Sequence, residues 1–544
     1  MRQPSSVLRR LGFDPRHLDR SLVKLASILV VVGCAVVIAT FSFGRDQSIY
    51  ATIGHGIVEG KVPYRDLWDF KPPGIFFLFA LAEVLFGHSM AAPRLLEASA
   101  LVACGFGMAA LGRRWFDSDI AGWLGAAIGA VAQLELDFWH TGQPETFGGM
   151  LTIGALYFAT APRGKIHPFV YWSGAGFLLG CAGLLKPPLG GVILVIAAYL
   201  SREQLIAGVR RAWWKPAVVV FTGAAIPVVT CALWFYLRGA WGAVLWTFRD
   251  FVPGYTRLGW YADARPLEMA YFATIQAFTA FSPLIAVGAV VAVVGQPLVS
   301  REREGRYLLL GCAAVHVVGV ALQAKFFQYH YAATIPILSL LAGVGWIKIG
   351  RWLRARSVPV APVTLVSVPL LLLMQKPVRD VPGTVPERTA IRLSFLLGRS
   401  PFDSRPKMDQ ALHRAADFDL GADRSVADWV SAHTRHTDHI FVWGFEPAIY
   451  WLSGRSSASR FVYDVPQRCE WRQAEARQML MRDLGANLPA VIVVQHNDVF
   501  PAVTGSQNDS AADLRDFPGL ANLLAEDYGY RKSIQDFDLY QLKP

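Results

Sequence analysis

At 544 residues, 53% hydrophobic and 17% charged, with a mean hydropathy of +0.34, the chain is too apolar for a soluble protein, in which about a quarter of the residues are charged. The net charge of +11 sits in short loops between apolar runs, so it reports membrane topology and argues against nucleic acid as a partner. Of the six cysteines, only Cys469 lies outside the apolar part, and no CxxC or Cys/His spacing occurs; neither a disulfide framework nor a zinc site is expected.

The apolar runs predict a polytopic α-helical membrane protein. Eleven spans are expected, at about 22–43, 92–112, 119–136, 146–161, 169–185, 188–200, 216–237, 269–295, 307–324, 332–350 and 358–375, from the ~20 apolar residues that a crossing requires. The first shows no small-residue cleavage pattern and is expected to be a retained helix and not a signal peptide. The basic clusters are Arg9/Arg10/Arg16/Arg20, Arg113/Arg114, Arg163/Lys165, Arg202/Arg210/Arg211/Lys215, Arg301/Arg303/Arg306 and Lys348/Arg351/Arg354/Arg356. They fall in alternate gaps. The positive-inside rule then places the N-terminus in the cytoplasm and the C-terminus outside. Basic inner loops suit a bacterial inner membrane.

The gaps expected outside are of another kind. Residues 44–91, 137–145, the Lys186-Pro187-Pro188 turn, 238–268 and 325–331 are rich in Trp, Tyr, Asp and Pro. In the first, Asp46 stands at an expected N-cap, followed by a short helix over 47–60 with Ile49, Ile53 and Ile57 on one face. That helix is expected to lie along the membrane interface. Lys71-Pro72-Pro73 opens a second short helix, "GIFFLFALAEVLFG", too short to cross. Arg94 and Glu97, three apart at the start of the second span, are placed to pair with each other.

Residues 1–375 are read as the membrane domain and 376–544 as a soluble α/β domain of ordinary size. In the tail, "HIFVWG", "AVIVVQ" and "DFDLYQL" predict strands; "RSVADWVSAHT" and "WRQAEARQMLMRDLG" predict helices, the latter closed by Gly485. Residues 377–406, rich in Pro and Arg, read as a linker. Trp443, Glu446, Tyr450 and Trp451 offer aromatics beside polar groups, able to stack on a sugar but equally able to form a core or dock on the membrane part. No internal repeat and no glycine-rich phosphate fingerprint appears, so no direct use of a nucleotide sugar is expected.

Several segments together resemble the GT-C glycosyltransferases of the family 39 type, the protein O-mannosyltransferase and lipid A aminoarabinose transferase group. They are "GRDQSIYATIGHGIVEGKVPYRD", "KPPGIFF", "FGHSMAAPRLLEA", "TGQPETFGG" and "KFFQYHYAATIPILSLLAG", spread over the membrane part. The tail segment "VWGFEPAIYWLSGRSSASRF" is similar to the soluble tail of bacterial members. The resemblance implies inverting transfer of a monosaccharide from a polyprenyl-phosphate donor to an envelope glycan or lipid acceptor. It also implies roles. Asp46 is the expected general base, its pKa raised by partial desolvation. Glu145 assists acceptor or sugar binding, with Asp137 as a rival. Lys71, Lys186, Arg249, Arg257 and His330 contact the donor phosphate. Each has a plainer use: Asp46 as a cap, Glu145 as a helix-start carboxylate, the lysines as interfacial anchors, and Arg249 and Arg257 as partners of Asp250 and Asp263. The family's Asp-Glu is here Asp46-Gln47, which puts a role for the second carboxylate, including metal binding, in doubt; no cofactor is expected, and a divalent metal is left open. The alternative function is a transporter or lipid flippase, and a third is an envelope scaffold. Transporters place ionisable groups near the membrane midplane and contain repeats, and a scaffold needs no Asp46–Lys71 loop.

Overall fold

The computed structural model describes residues 15–162, 167–260, 264–280, 282–360, 363 and 381–544. Most of the expected eleventh span, the first residues of the expected linker, Asp263, and the basic residues Arg9, Arg10, Arg163 and Lys165 lie outside them.

The membrane part runs α1 (Pro15–Ile38), α2 (Arg45–Val58), α3 (Gly74–Phe86), α4 (Ala91–Phe116), α5 (Asp119–Glu135), α6 (Pro144–Ala159), α7 (Pro168–Leu185), α8 (Val192–Ile206), α9 (Lys215–Leu237), α10 (Pro266–Ala280), α11 (Pro283–Val294), α12 (Glu302–Gln323) and α13 (Ile335–Ala355). Among the described residues, seven helical stretches are long and apolar enough to cross a bilayer. Two expected spans, 119–136 and 146–161, fall on shorter helices, and a third is divided. Helices α5 and α6 have 17 and 16 residues, about 26 and 24 Å at 1.5 Å per residue. The run at 269–295 is divided between α10 and α11, and α11 opens on Pro283, a residue favoured in the first turn of a helix.

Contacts sort the polar segments into two ends of the bundle. At one end Lys24 pairs with Asp119 at 2.7 Å, Arg114 donates to Thr160 at 2.7 Å, and Lys348 pairs with Glu302 at 2.6 Å. At the other end the loops over 44–73, 137–143, 238–259 and 325–334 meet one another and the C-terminal region.

That region carries α14 (Val385–Leu396), α15 (Leu420–His433), α16 (Ala448–Ser453), α17 (Gln473–Ala486) and α18 (Pro518–Asp527). Its five-stranded sheet comprises β1 (His439–Trp443), β2 (Ser456–Ser457), β3 (Val491–Gln495), β4 (Tyr528–Ile534) and β5 (Phe537–Leu542), in the order β2-β1-β3-β5-β4. Strands β2, β1 and β3 are parallel, and β5 is antiparallel to β3 and β4. Both central strands are buried on both faces, which their unbroken apolar runs require. Two expectations are corrected. Helix α17 ends at Ala486, capped by Asn487, and Gly485 lies in its last turn. The described part of the expected linker is not a solvent-exposed tether, because α14 buries Arg388 and Arg392 against the membrane part.

The two parts are joined by buried polar contacts. Asp137 receives Arg388 at 2.7 Å and Arg392 at 2.8 Å. Arg45 reaches Glu446 at 2.5 Å and Asp417 at 2.9 Å. Trp68 donates its backbone N–H to the Arg460 carbonyl at 2.6 Å, and the Tyr463 hydroxyl donates to Asp69 at 2.5 Å. A ring cluster of Trp68, Trp246, Phe251 and Phe461 fills the seam.

Candidate active site

The site grows from the first turn of α2. Its N-cap is Gly44, whose N–H donates to the Gln47 side-chain oxygen at 2.9 Å. Asp46 is therefore the second helical residue and not the cap, which corrects the sequence expectation. Gln47 also donates to the Thr141 carbonyl at 2.5 Å. A glutamate at this position could not make that bond, which gives the Asp-Gln variant a structural reason. Ten of the fourteen residues of α2 are buried, so the helix is covered on most sides by the rest of the protein.

With its cap supplied elsewhere, the Asp46 carboxylate turns to side chains. Lys71 stands 2.9 Å from one oxygen, and the Gln143 amide donates to the other at 3.0 Å. Gln143 in turn accepts from the Tyr50 hydroxyl at 2.8 Å. The Lys71 ammonium sits 4.7 Å from the centre of the Tyr50 ring, a cation–π contact. The backbone of Lys71 is pinned by the Tyr64 hydroxyl, which donates to its carbonyl at 2.8 Å. Burial pushes the Asp46 carboxyl up, but Lys71, Gln143 and Arg45 outweigh it and hold the group below its ordinary value. The expected rise is thus reversed: a cation at contact distance outweighs the desolvation. Asp46 is ionised, and about a quarter of its side chain is open to solvent.

A second acid–base pair adjoins the first. Glu145, in the first turn of α6, is 2% exposed and bonds directly to Lys186. Its other oxygen is buried without a hydrogen-bond partner. The His330 Nδ1–H donates to the Lys325 carbonyl at 2.5 Å, which leaves Nε2 facing Glu145 at 3.8 Å. The two Lys-Pro-Pro turns are brought together by Gly74. A Cβ there would lie 2.7 Å from the backbone of Leu184 and Leu185, so only glycine lets α3 start against the end of α7.

Asp46, Lys71, Glu145, Lys186 and His330 thus converge. Arg249 and Arg257 do not: both are exposed, and Arg249 folds onto its neighbour Asp250 at 3.2 Å. Asp137 is engaged elsewhere. Burial pushes its carboxyl up, but Arg392 and Arg388 outweigh that and hold it well below the ordinary range. Trp443, Glu446 and Tyr450 are core residues of the C-terminal region, and Trp451 packs on Phe43 at 5.1 Å. Arg94 pairs with Glu97 at 3.1 Å.

Sequence reasoning passed over four groups that border the cluster. Asp69 is fully buried with one oxygen unpartnered, and burial raises its pKa against the pull of Lys71. Burial, together with the Asp46 charge, raises the pKa values of Tyr329 and Tyr255. His140 packs 5.5 Å from Tyr329, its pKa lowered to about 4 by burial although Asp46 and Asp137 oppose it. Asp69 stands two residues before Lys71, a proximity visible in "DFKPP"; the others are assembled only by the fold.

This architecture, a helical membrane bundle with its charged site under a mixed α/β cap, is similar in fold to that of the solved ArnT glycosyltransferase. Residues 70–236 match the family described as dolichyl-phosphate-mannose-protein mannosyltransferase. Residues 422–510 match the C-terminal domain of the competence-induced protein Ccs4. Among solved structures, the chain is similar to ArnT from Cupriavidus metallidurans in the apo state, 14% identical, with a TM-score of 0.56 over 96% of this chain and 98% of that one. It is also similar to the same enzyme bound to undecaprenyl phosphate, 17% identical, with a TM-score of 0.53 over 96% and 97%. No curated protein sequence matches the chain.

Proposed function

We propose that the protein transfers a monosaccharide from a polyprenyl-phosphate donor to a hydroxyl of an envelope glycan or lipid, with inversion, on the outer face of a bacterial inner membrane. The observation that carries the reading is the pair of acid–base couples, Asp46–Lys71 and Glu145–Lys186, set side by side under the C-terminal region with Asp46 freed from capping. A similar fold holds undecaprenyl phosphate in the ArnT structure, and a phosphate beside two lysines is the natural ligand of this site.

In the proposed reaction the donor phosphate lies against Lys71 and Lys186. The ammonium of Lys71 has three N–H donors, so it bonds the phosphate while keeping Asp46. The bound anion offsets the pull of Lys71 on Asp46 and raises the proton affinity of its carboxylate. Donor binding thereby turns a resting ion pair into a base. Asp46 takes the proton of the acceptor hydroxyl as its oxygen attacks the anomeric carbon, and the polyprenyl phosphate departs against the lysines. Glu145 and His330 hold the sugar and acceptor hydroxyls.

Asp46→Asn tests this. Gly44 caps the helix without it, so the variant is expected to fold and to bind donor as the wild type does. Loss of the base lowers single-turnover transfer by about 10²–10⁴, and NMR of the wild-type product shows the anomeric configuration inverted. Transfer at the wild-type rate by the Asn variant, or a retained configuration, would overturn the mechanism.

A further inference from the structure

A second constellation of ionisable side chains lies at the far end of α2. His55 in its last turn, Glu83 in α3 and His88 in the turn that follows α3 converge on one point. The His55 Nδ1 and the His88 Nδ1 approach the same Glu83 oxygen, at 2.7 and 3.1 Å. The three donor atoms lie within 4.8 Å of one another. Around one tetrahedral ion with bonds of ~2.1 Å, neighbouring ligand atoms are about 3.4 Å apart, so small side-chain shifts would complete such a shell.

The surroundings also suit a bound cation. The other ring nitrogen of His55, Nε2, meets the Glu59 carboxylate at 3.3 Å. A neutral imidazole has one N–H. If that proton faces Glu59, a bare Nδ1 lone pair faces the Glu83 oxygen at 2.7 Å, and two acceptors then confront each other. A cation between them resolves this. Glu59 in that arrangement is the outer carboxylate that fixes the tautomer of a ligating histidine. The His88 ring is held by stacking on Trp451 at 4.5 Å. The fourth position opens to a cleft bordered by Lys61, Trp451 and Ser456. His55 is nine residues beyond Asp46, about 13 Å along the helix, so this point is separate from the transfer site.

We infer that His55, Glu83 and His88 bind one divalent transition-metal ion of the zinc class, with Glu59 orienting His55, and that the ion clips the C-terminal ends of α2 and α3 together. All six cysteines are at least partly buried free thiols, which limits competing soft sites.

The test uses the full chain without a histidine tag, purified in detergent, stripped with EDTA and titrated with Co²⁺ and then Zn²⁺. Wild type is expected to take up one Co²⁺ with the intense visible bands of a low-coordinate site, to lose them as Zn²⁺ displaces the ion, and to melt at a higher temperature with Zn²⁺ bound. Glu83→Gln and His88→Ala should each weaken binding at least a hundredfold, and Glu59→Gln about tenfold. His88 lies on an exposed turn, so its variant should melt like metal-free wild type, which separates lost binding from lost folding. Absence of stoichiometric uptake by wild type would leave the cluster as imidazolium–carboxylate pairs only and overturn the inference. So would uptake that survives His88→Ala but is lost in Asp46→Asn.

Discussion

Lys71 has two roles: it holds the Asp46 carboxylate ionised, and in the proposed reaction it receives the leaving phosphate. The two effects separate in Lys71→Ala. Loss of a charge-assisted contact to phosphate costs about 1.5–3 kcal/mol, a ten- to hundredfold fall in rate at saturating acceptor. The same change removes the largest of the effects that oppose the burial of Asp46 and leaves only Gln143 and Arg45, so its pKa rises and the acid limb of the pH–rate profile moves to higher pH. Lys71→Arg should restore the limb and part of the rate. A pH–rate series on the three proteins reads both effects, and an unmoved acid limb in Lys71→Ala would remove Asp46 from the titrating step. This coupling was only half legible in the sequence. The nearness of Asp46, Lys71 and Glu145 to span ends was visible from hydropathy and resemblance, but the sign of the Asp46 shift depends on a contact between residues 25 positions apart. Gly44 as the cap was equally hidden, because glycine carries no capping oxygen and its use shows only in the Gln47 bond.

Helix α14 and the turn around Glu446 act as fasteners between the membrane part and its cap. Arg388 and Arg392 both address Asp137 in a buried setting. Asp137→Asn would leave two guanidinium groups there without a counter-ion, at a cost of about 3–5 kcal/mol. A thermal melt in detergent should show a marked drop, whereas Arg249→Ala, an exposed change, should melt like wild type. The second fastener is sensitive to pH. Burial pushes the Glu446 carboxyl up to about 7 despite Arg45, and the buried Asp423 carboxyl is raised in the same way by burial and by Glu446. The folded state therefore keeps a proton that the unfolded chain releases near the ordinary value of 4.5. Stability from this group falls as pH rises between about 4.5 and 7 and is level above. Glu446→Gln should flatten that part of the melting-temperature profile. An identical slope in both proteins would place the proton elsewhere. Strands, main helices and short surface helices were legible as elements from their periods and proline starts. The fasteners were not, because an arginine-rich stretch such as α14 reads from sequence as a solvated linker until its partner carboxylate is known.

For the whole molecule, the decisive property is which face of the bilayer holds the site. The contacts leave no freedom within the protein: Arg45 to Glu446, Asp69 to Tyr463 and Asp137 to Arg388 bind the loops of the site to the C-terminal region, so all of them share one side. The opposite end carries Lys24, Arg113, Arg114, Arg202, Arg301, Arg306 and Lys348. An excess of Lys and Arg in short loops is retained in the cytoplasm, and on that rule the site and the C-terminal region are expected on the outer side. A reporter active only outside the cytoplasm is therefore expected to work when fused after Pro544 and to be silent when fused after Arg303. The fusion point after Arg303 lies at the start of α12, at the basic end, so the two fusions probe the two faces directly. A single cysteine placed at Arg249, on the exposed side of the 238–259 loop, gives the same information in the intact chain: an impermeant maleimide should label it in whole cells once the outer membrane is opened. A silent fusion after Pro544 together with an unlabelled Cys at 249 would turn the molecule over, and the donor would then have to be presented from the cytoplasmic leaflet.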